Sequence, residues 1–144
     1  MILIIGCGRL GANFAQRRAA KGDKVTILDF DAQNFQAVRD VPVRTMAGME
    51  IDTEVLERAG MGRADCVIVV SRDENTNIMI ADIARRHFKL QKVIVRIDNP
   101  ELRQIYLDDG FEVISPILEA TESLERTLET IKGAKDADPD RRGG

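Results

Sequence analysis

Several residue types are scarce in this 144-residue chain, and each scarcity excludes a class of protein. There is no tryptophan and the aromatic fraction is 4%, so the stacking surfaces that bind single-stranded nucleic acid are missing. One histidine, His87, and two cysteines, Cys7 and Cys66, are too few ligands for an ordinary zinc site. No apolar run approaches the roughly 18 residues that span a membrane, so we expect no direct membrane insertion.

The charge balance is mildly acidic, with 21 basic and 24 acidic side chains and a net charge of −3. Because nucleic-acid binders normally carry a basic surplus, we expect no nucleic-acid partner. The apolar fraction of 44% supports a single folded core. The apolar first residues lack a basic segment and a cleavage site, and the two cysteines lack an evident pairing, which predicts a cytoplasmic protein.

Short β-branched runs alternate with longer helical patterns, as in α/β proteins with a parallel sheet. The predicted strands are residues 2–5, 24–28, 43–46, 66–70, 93–96 and 112–114. The predicted helices are residues 9–21, 31–40, 52–59, 74–88 and 100–109. Right-handed crossovers then give a Rossmann-like, doubly wound parallel sheet of six strands in the order 3-2-1-4-5-6.

A glycine motif follows the first strand and opens the first helix, and it reads Gly6-Cys7-Gly8-Arg9-Leu10-Gly11. In such a turn the first glycine permits the tight bend, the second lets a pyrophosphate approach the backbone, and the third lets helix and strand pack closely. The helix N-terminus offers free N–H groups to the phosphates, and Arg9 can add a charged fork. The alternative is a glycine-rich turn that binds nothing.

Asp29 ends the second strand, 18 residues after Gly11. An acid near this offset holds the ribose hydroxyls of a dinucleotide. Phe30 and Asp31 follow it and provide no arginine for a 2′-phosphate, so the sequence favours an unphosphorylated ribose. The alternative for Asp29 is a solvated strand end, and for Asp31 the favoured role is the N-cap of the next helix.

Other candidates lie where later strands end, at the sheet edge that binds ligands in open α/β folds. Ser71 and Arg72 follow the fourth strand, although Arg72 is equally consistent with a solvent-exposed charge. Arg96 ends the fifth strand and can reach a phosphate or pair with an acid. Cys7 lies where a helix N-terminus can lower a thiol pKa, but a packing role is favoured over a redox sensor because no resolving cysteine is evident. The methionines predicted to fill the core are Met46, Met49, Met61 and Met79.

The C-terminal part contains one more helix, predicted over residues 117–131. Its apolar residues recur at spacings of three or four and form one narrow stripe, Ile117, Ala120, Leu124, Leu128 and Ile131. Residues 132–144 have no apolar periodicity and are predicted to be a disordered tail. The predicted organisation is a nucleotide-binding lobe over 1–116, an interaction helix over 117–131 and this tail.

Together these residues resemble the nucleotide-binding N-lobe of the RCK (KTN, TrkA-type) domains, which regulate potassium channels and potassium-uptake systems. The resemblance rests on the glycine motif and on Leu28-Asp29-Phe30-Asp31, residues 55–60, Ala64-Asp65, residues 71–77, residues 95–101 and Ile114-Ser115-Pro116. It implies that the loop holds the phosphates of an adenine nucleotide, which in this family is NAD(H), ATP, ADP or AMP, and that Asp29 holds its ribose. Asn77 matches a family asparagine, although a capping role also explains it.

The sequence departs from the family pattern in two places. Gly48 is kept after the third strand, but Met49 replaces the acid that the family places near the adenine, so base discrimination is in doubt. The 144 residues also leave no room for the family's second lobe, so we expect this lobe to act through partner proteins.

The resemblance implies a non-enzymatic regulatory subunit that changes its dimer or ring arrangement when it binds nucleotide. The last helix, residues 117–131, would form a homodimer or higher oligomer, unless it folds back on its own sheet. The implied partner is a membrane potassium transporter or channel subunit, to which the cytoplasmic protein would be peripheral. The alternative is a small NAD-dependent oxidoreductase or its cofactor-binding fragment, with Tyr106, His87 and Cys66 as its candidate groups.

Overall fold

Six strands form one sheet in the computed structural model, which describes residues 1–136. The strands are β1 (Ile2–Ile5), β2 (Val25–Asp29), β3 (Arg44–Ala47), β4 (Cys66–Val69), β5 (Val93–Arg96) and β6 (Glu112–Ile114). Every neighbouring pair is parallel, and the order is β3-β2-β1-β4-β5-β6. The Rossmann-like, doubly wound sheet predicted from the sequence is therefore confirmed, with each strand within one residue of its predicted bounds.

Within residues 1–136, five α-helices and two 3₁₀ helices connect or follow the strands. They are α1 (Arg9–Ala20), α2 (Thr53–Arg58), α3 (Glu74–Arg86), α4 (Pro100–Asp108), α5 (Pro116–Asp136) and the 3₁₀ helices Ala32–Val38 and Met61–Arg63. Side chains of Asp52, Asp73 and Asn99 accept hydrogen bonds from first-turn amides of α2, α3 and α4. These caps satisfy amides that have no partner inside the helix, which fixes where each helix begins.

The sheet buries apolar side chains on both faces, because successive residues of a strand point to opposite sides. On β1, Leu3 and Ile5 join the core that contains residues of α2 and α3, whereas Ile4 joins the core that contains residues of α1. All three side chains are fully buried. The central strands therefore lie between two layers of helix, and their carboxyl ends are left to form a site.

The segment after β2 differs from its prediction. An α-helix was expected over residues 31–40, but the chain forms a 3₁₀ helix, Ala32–Val38. Phe35 and Val38 both pack into the core on the α1 side. Because they are three residues apart, the three-residue turn of a 3₁₀ helix aligns them on one face. Asp31 is the N-cap, and its side chain accepts from the Gln33 amide, as predicted.

The helix α5 belongs to a separate compact unit that begins at Ser115, whereas Met1–Ile114 form the first unit. The helix was expected to end at residue 131, but it continues to Asp136. The prediction of a disordered tail is therefore wrong for residues 132–136, and the rest of that tail lies outside the described residues. Lys132 and Ala134 have good helix propensity, and the helix continues through them despite Gly133. Within residues 1–136, no helix combines the length and the hydrophobicity of a membrane span.

Candidate functional site

The glycine loop between β1 and α1 is held by two close contacts that only glycine allows. Gly6 has a φ of +109°, and a Cβ there would lie 2.7 Å from the Ser71 amide nitrogen beyond β4. A Cβ on Gly11 would lie 1.9 Å from the Gly6 carbonyl oxygen. Both positions therefore shape the loop itself, because a side chain at either one would collide with backbone.

Gly8 differs from these two glycines. It is the N-cap of α1 in extended conformation, with a φ of −78°, and no described side chain caps the helix. No described heavy atom beyond its chain neighbours lies within 4 Å of the position its Cβ would take. The loop therefore leaves open space beside uncapped amides and the positive end of a helix, which is the arrangement that binds anions. Arg9 and Leu10, in the first turn, are exposed beside this space.

Asp29 lies against the loop rather than in solvent. Its residue is 4% exposed, and its Oδ2 accepts a 2.8 Å hydrogen bond from the Cys7 amide. Its Oδ1 accepts from the Asp31 amide at 2.8 Å and from Asn34 Nδ2 at 3.1 Å. The alternative of a solvated strand end is therefore wrong. The carboxylate joins the end of β2 to the glycine loop, beside the open space at Gly8.

A second carboxyl, Glu50, was not among the predicted site residues. It follows β3, its residue is 7% exposed, and it accepts a hydrogen bond from the Phe30 amide. Burial and the negative charge of Asp29 raise the pKa of Glu50 to about 7. The signal available in the sequence was an acid two residues after Gly48, next to the strand that ends in Asp29. The family resemblance does not point to Glu50, because the family has its acid at the position of Met49.

The side chains beside this pair of acids are apolar and open to solvent. Phe30 is 70% exposed and Met49 is 61% exposed. Met79, on α3, is also exposed, whereas Met61 is fully buried. The prediction that the methionines fill the core is therefore right for Met61 and wrong for Met49 and Met79. Gly48 itself is packed, because a Cβ there would lie 2.8 Å from Val55 Cγ1 of α2.

A buried asparagine ties together the ends of β4 and β5. Asn77 is 1% exposed, and its Oδ1 accepts from the Ser71 amide at 3.0 Å and from the Ser71 hydroxyl at 2.7 Å. Its Nδ2 donates to the carbonyls of Ser71 at 2.8 Å and Arg96 at 3.2 Å. The helix cap is Asp73, so the capping role suggested for Asn77 is wrong. Asn77 instead fixes the Ser71 segment that packs against Gly6.

The two arginines predicted at this edge have different surroundings. Arg96 Nε lies 3.2 Å from Asp98 Oδ2, so Arg96 pairs with an acid. The Asp98 and Asn99 amides in turn donate to Glu74 Oε1 at 2.6 and 2.8 Å, which ties this loop to α3. Arg72 is exposed in the loop between β4 and α3. The structure thus brings together the glycine loop, Asp29 and Ser71, and Asn77 links the Arg96 carbonyl to the Ser71 segment.

Cys7 is a packed thiol. It is 3% exposed, and its Sγ donates to the Asn34 carbonyl at 3.3 Å. Burial, together with the charge of Asp29, raises the pKa of Cys7 to about 11. The expectation that the helix N-terminus could lower this pKa is therefore wrong, because burial and the neighbouring charge of Asp29 both raise it. A thiol that stays protonated is a poor nucleophile, so this environment favours the packing role.

The groups that an oxidoreductase would need lie away from the glycine loop. Cys66 begins β4 and His87 follows the C-terminus of α3, both at the opposite edge of the parallel sheet. Tyr106, on α4, donates to Asp82 of α3 at 3.1 Å, and burial raises the pKa of Tyr106 to about 12. Over residues 1–136, no group of three or more His, Cys, Asp or Glu side chains could hold a metal ion.

Comparisons with known proteins agree with this geometry. The family model for the TrkA-N domain matches residues 2–116. The Trk system potassium uptake protein TrkA of Streptomyces coelicolor is 31% identical to this chain over 128 residues, which are 88% of this chain and 57% of that protein. The chain therefore spans little more than half the length of this relative.

Solved structures share the fold. The RCK domain of GsuK superposes with a TM-score of 0.77 at 26% identity, covering 95% of this chain and 30% of that one. The Kef CTD of Shewanella denitrificans, solved in an AMP-bound form, gives a TM-score of 0.76 at 22% identity, over 92% of this chain and 81% of that one. The GsuK channel bound to NAD gives 0.65 at 15% identity, over 78% and 21% of the two chains.

Proposed function

This chain belongs to the TrkA-N domain family, and from that premise we propose that it is a nucleotide-binding regulatory part of a potassium-transport system. The chain would bind an adenine nucleotide, AMP, ADP, ATP or NAD(H), at the carboxyl edge of its sheet. It would have no catalytic residues of its own. Binding would favour one arrangement of an oligomer over another, which requires different affinities for the two arrangements.

The observation that carries the proposal is the open space at Gly8. Uncapped α1 amides border this space, and the Cys7 amide next to it is held by Asp29. An anionic phosphate would fill the space and accept from those amides, with Arg9 adding a positive charge. Asp29 would then accept from the ribose hydroxyls, because its Oδ2 receives one described hydrogen bond and retains acceptor capacity.

The remaining predicted residues would surround the other parts of the ligand. Phe30 and Met49 are exposed next to Asp29 and would pack on the adenine ring. Ser71 and Arg72 lie beyond β4, on the other side of Gly6, where they would border the phosphates or the second half of a dinucleotide. Arg96 would not contact the ligand directly; its ion pair with Asp98 would instead fix the loop that follows β5.

The potassium-transport role is supported by what the relatives are named. The Streptomyces relative is a Trk system potassium uptake protein. Two of the solved structures are of GsuK, one of its RCK domain and one of the GsuK channel bound to NAD. The third is the Kef CTD in an AMP-bound form. We infer a membrane potassium transporter or channel subunit as the partner, with this chain as its cytoplasmic, peripheral component. The AMP and NAD in the neighbouring structures indicate the class of ligand to test first.

Oligomerisation would use the apolar stripe of α5, which was defined above over residues 117–131. Leu124 is 71% exposed, and Leu128 and Ile131 are more than half exposed. Burying such a row against a second copy is favourable at about 25 cal/mol per Å² of apolar surface. The exposed stripe therefore supports the proposal of a homodimer or a higher homo-oligomer through α5.

Titration calorimetry with AMP, ADP, ATP, NAD and NADH tests the nucleotide part of the proposal. We expect at least one ligand to bind the unmodified chain, and Gly8→Val to weaken that binding more than tenfold. The valine side chain fits the unliganded loop, because Gly8 has extended backbone and open space at its Cβ. It would occupy the space assigned to the phosphate.

Gly133→Ala is the matched control, because a Cβ there also meets nothing within 4 Å and the residue lies in α5, outside the sheet. It should leave the affinity unchanged. Thermal unfolding verifies that Gly8→Val remains folded. If no nucleotide binds the unmodified chain, or if Gly8→Val binds as tightly as Gly133→Ala, the site is not the one proposed.

A further inference from the structure

Glu50 is a buried acidic residue between two exposed apolar residues, which is the opposite of the usual pattern at a protein surface. Its neighbours Met49 and Ile51 are apolar and exposed, whereas the charged residue between them is buried. Placing a carboxyl in a low-dielectric position beside another carboxyl destabilises its ionised form. Such an arrangement is frequent at functional sites, where the perturbed group serves a ligand.

The groups that face Glu50 define its position. The Phe30 amide, just after β2, donates a hydrogen bond to the Glu50 carboxyl. The negative charge of Asp29 disfavours the ionised form of Glu50. The Cys7 thiol, in the loop after β1, is neutral because its pKa is about 11. Asp31 and Asp52 cap the neighbouring helices. Glu50, which follows β3, therefore contacts the backbone of the residue that follows Asp29.

This position adjoins the proposed ribose. Asp29 holds the glycine loop through the Cys7 amide, so a nucleotide seated on that loop would present its ribose hydroxyls to Asp29. Because Asp29 ends β2 and pairs with the last residue of β3, those hydroxyls would lie beside the segment that follows β3. Ala47, the last residue of β3, pairs with Asp29, and the next residue, Gly48, donates its amide to the Asp29 carbonyl at 3.1 Å. Glu50 follows two residues later and is 7% exposed, so its carboxyl is buried at the same end of the sheet.

We propose that Glu50 is a specificity-determining residue, which excludes nucleotides that carry a phosphate on the adenosine ribose and restricts the site to a free ribose diol. The inference rests on the proposed nucleotide site. A free hydroxyl donates to a carboxyl, whereas a phosphate group brings up to two negative charges against it. Glu50 adds a second negative charge to that of Asp29, so the two carboxyls together repel a ribose phosphate more strongly than Asp29 alone would.

The test compares NAD with NADP, which differ only by the 2′-phosphate, using calorimetry at pH 8. We expect Glu50→Gln to lower the ratio of the dissociation constants, NADP over NAD, by up to about tenfold. At pH 8 a carboxyl with a pKa of about 7 can relieve the repulsion by binding a proton, which costs about one pKa unit, or tenfold in affinity. Glutamine keeps the shape and an acceptor for the Phe30 amide. Affinity for NAD should stay within about threefold. Glu57→Gln removes an exposed carboxyl from α2 and should leave the ratio unchanged.

The same ratio at pH 5.5 separates charge from shape. Wild-type Glu50, with a pKa of about 7, is largely protonated at this pH, so its ratio should approach that of Glu50→Gln to within about twofold. A ratio unchanged by Glu50→Gln at pH 8 overturns the inference and leaves the proposed function standing. If neither dinucleotide binds, AMP and adenosine 2′,5′-bisphosphate replace them as the pair. Failure of wild type to bind any of the four overturns the site and this inference together.

Discussion

Replacing Glu50 with glutamine should make the protein more stable at neutral and alkaline pH. Burial and the charge of Asp29 raise the Glu50 pKa from 4.5 to about 7. A raised pKa means that the folded state binds the proton more tightly than the unfolded state. The associated stabilisation is present below about pH 4.5 and is lost as the pH rises toward 7, where the folded protein must ionise a buried group.

The size of the effect follows from the pKa change. Each pKa unit corresponds to about 1.4 kcal/mol, so the rise corresponds to about 3 kcal/mol of stability lost between pH 4.5 and pH 8. Glu50→Gln has no such proton to lose. Its stability relative to wild type should therefore grow by up to about 3 kcal/mol over this range, and Glu57→Gln should show no comparable trend.

Urea unfolding followed by circular dichroism at several pH values measures this difference. With a denaturant slope of about 2 kcal/mol/M, the midpoint of Glu50→Gln should move about 1.5 M above that of wild type by pH 8. A difference that stays constant from pH 4.5 to pH 8 would refute the reasoning, because it would mean that Glu50 has the same pKa in the folded and unfolded states.

Two further predictions concern other parts of the molecule. Asn77→Ala should destabilise the protein by about 2–4 kcal/mol in urea unfolding, because it leaves polar groups of Ser71 and Arg96 without their buried partner. Asn75→Ala, an exposed change in the same helix, should cost less than about 1 kcal/mol. Equal effects of the two changes would contradict the structural role assigned to the Asn77 hydrogen bonds. Leu124→Asp should shift the sedimentation coefficient to that of a monomer, because it places a charge in the apolar stripe of α5, whereas Ser123→Asp should not; a wild type that already sediments as a monomer would contradict the α5 interface.

The fold could be predicted from the sequence because its signals are local. Buried parallel strands appear as β-branched runs, such as Ile2–Ile5, and glycines or capping residues mark the turns between them. The glycine motif could be assigned to a strand–helix junction for the same reason. The order of the strands then followed from the handedness of βαβ units, which leaves few alternatives.

The parts that escaped prediction depend on contacts between distant segments. The 3₁₀ helix after β2 results from the packing of Phe35 and Val38, which a helical pattern alone does not distinguish from an α-helix. Asn77 looks like a cap until the ends of β4 and β5 are brought together around it. Glu50 looks like a surface acid until β3 pairs with β2 and brings it to Asp29.

The three glycines of the loop also differ in what their loss would mean over evolutionary time. Changes at Gly6 or Gly11 would be removed by selection on folding, because a Cβ at either one collides with backbone. A change at Gly8 meets no such obstacle. A lineage that no longer needed its ligand could therefore drift at this single position and keep an intact domain. Among relatives, the residue at this position would then separate domains that retain a ligand from those that survive as purely structural connectors.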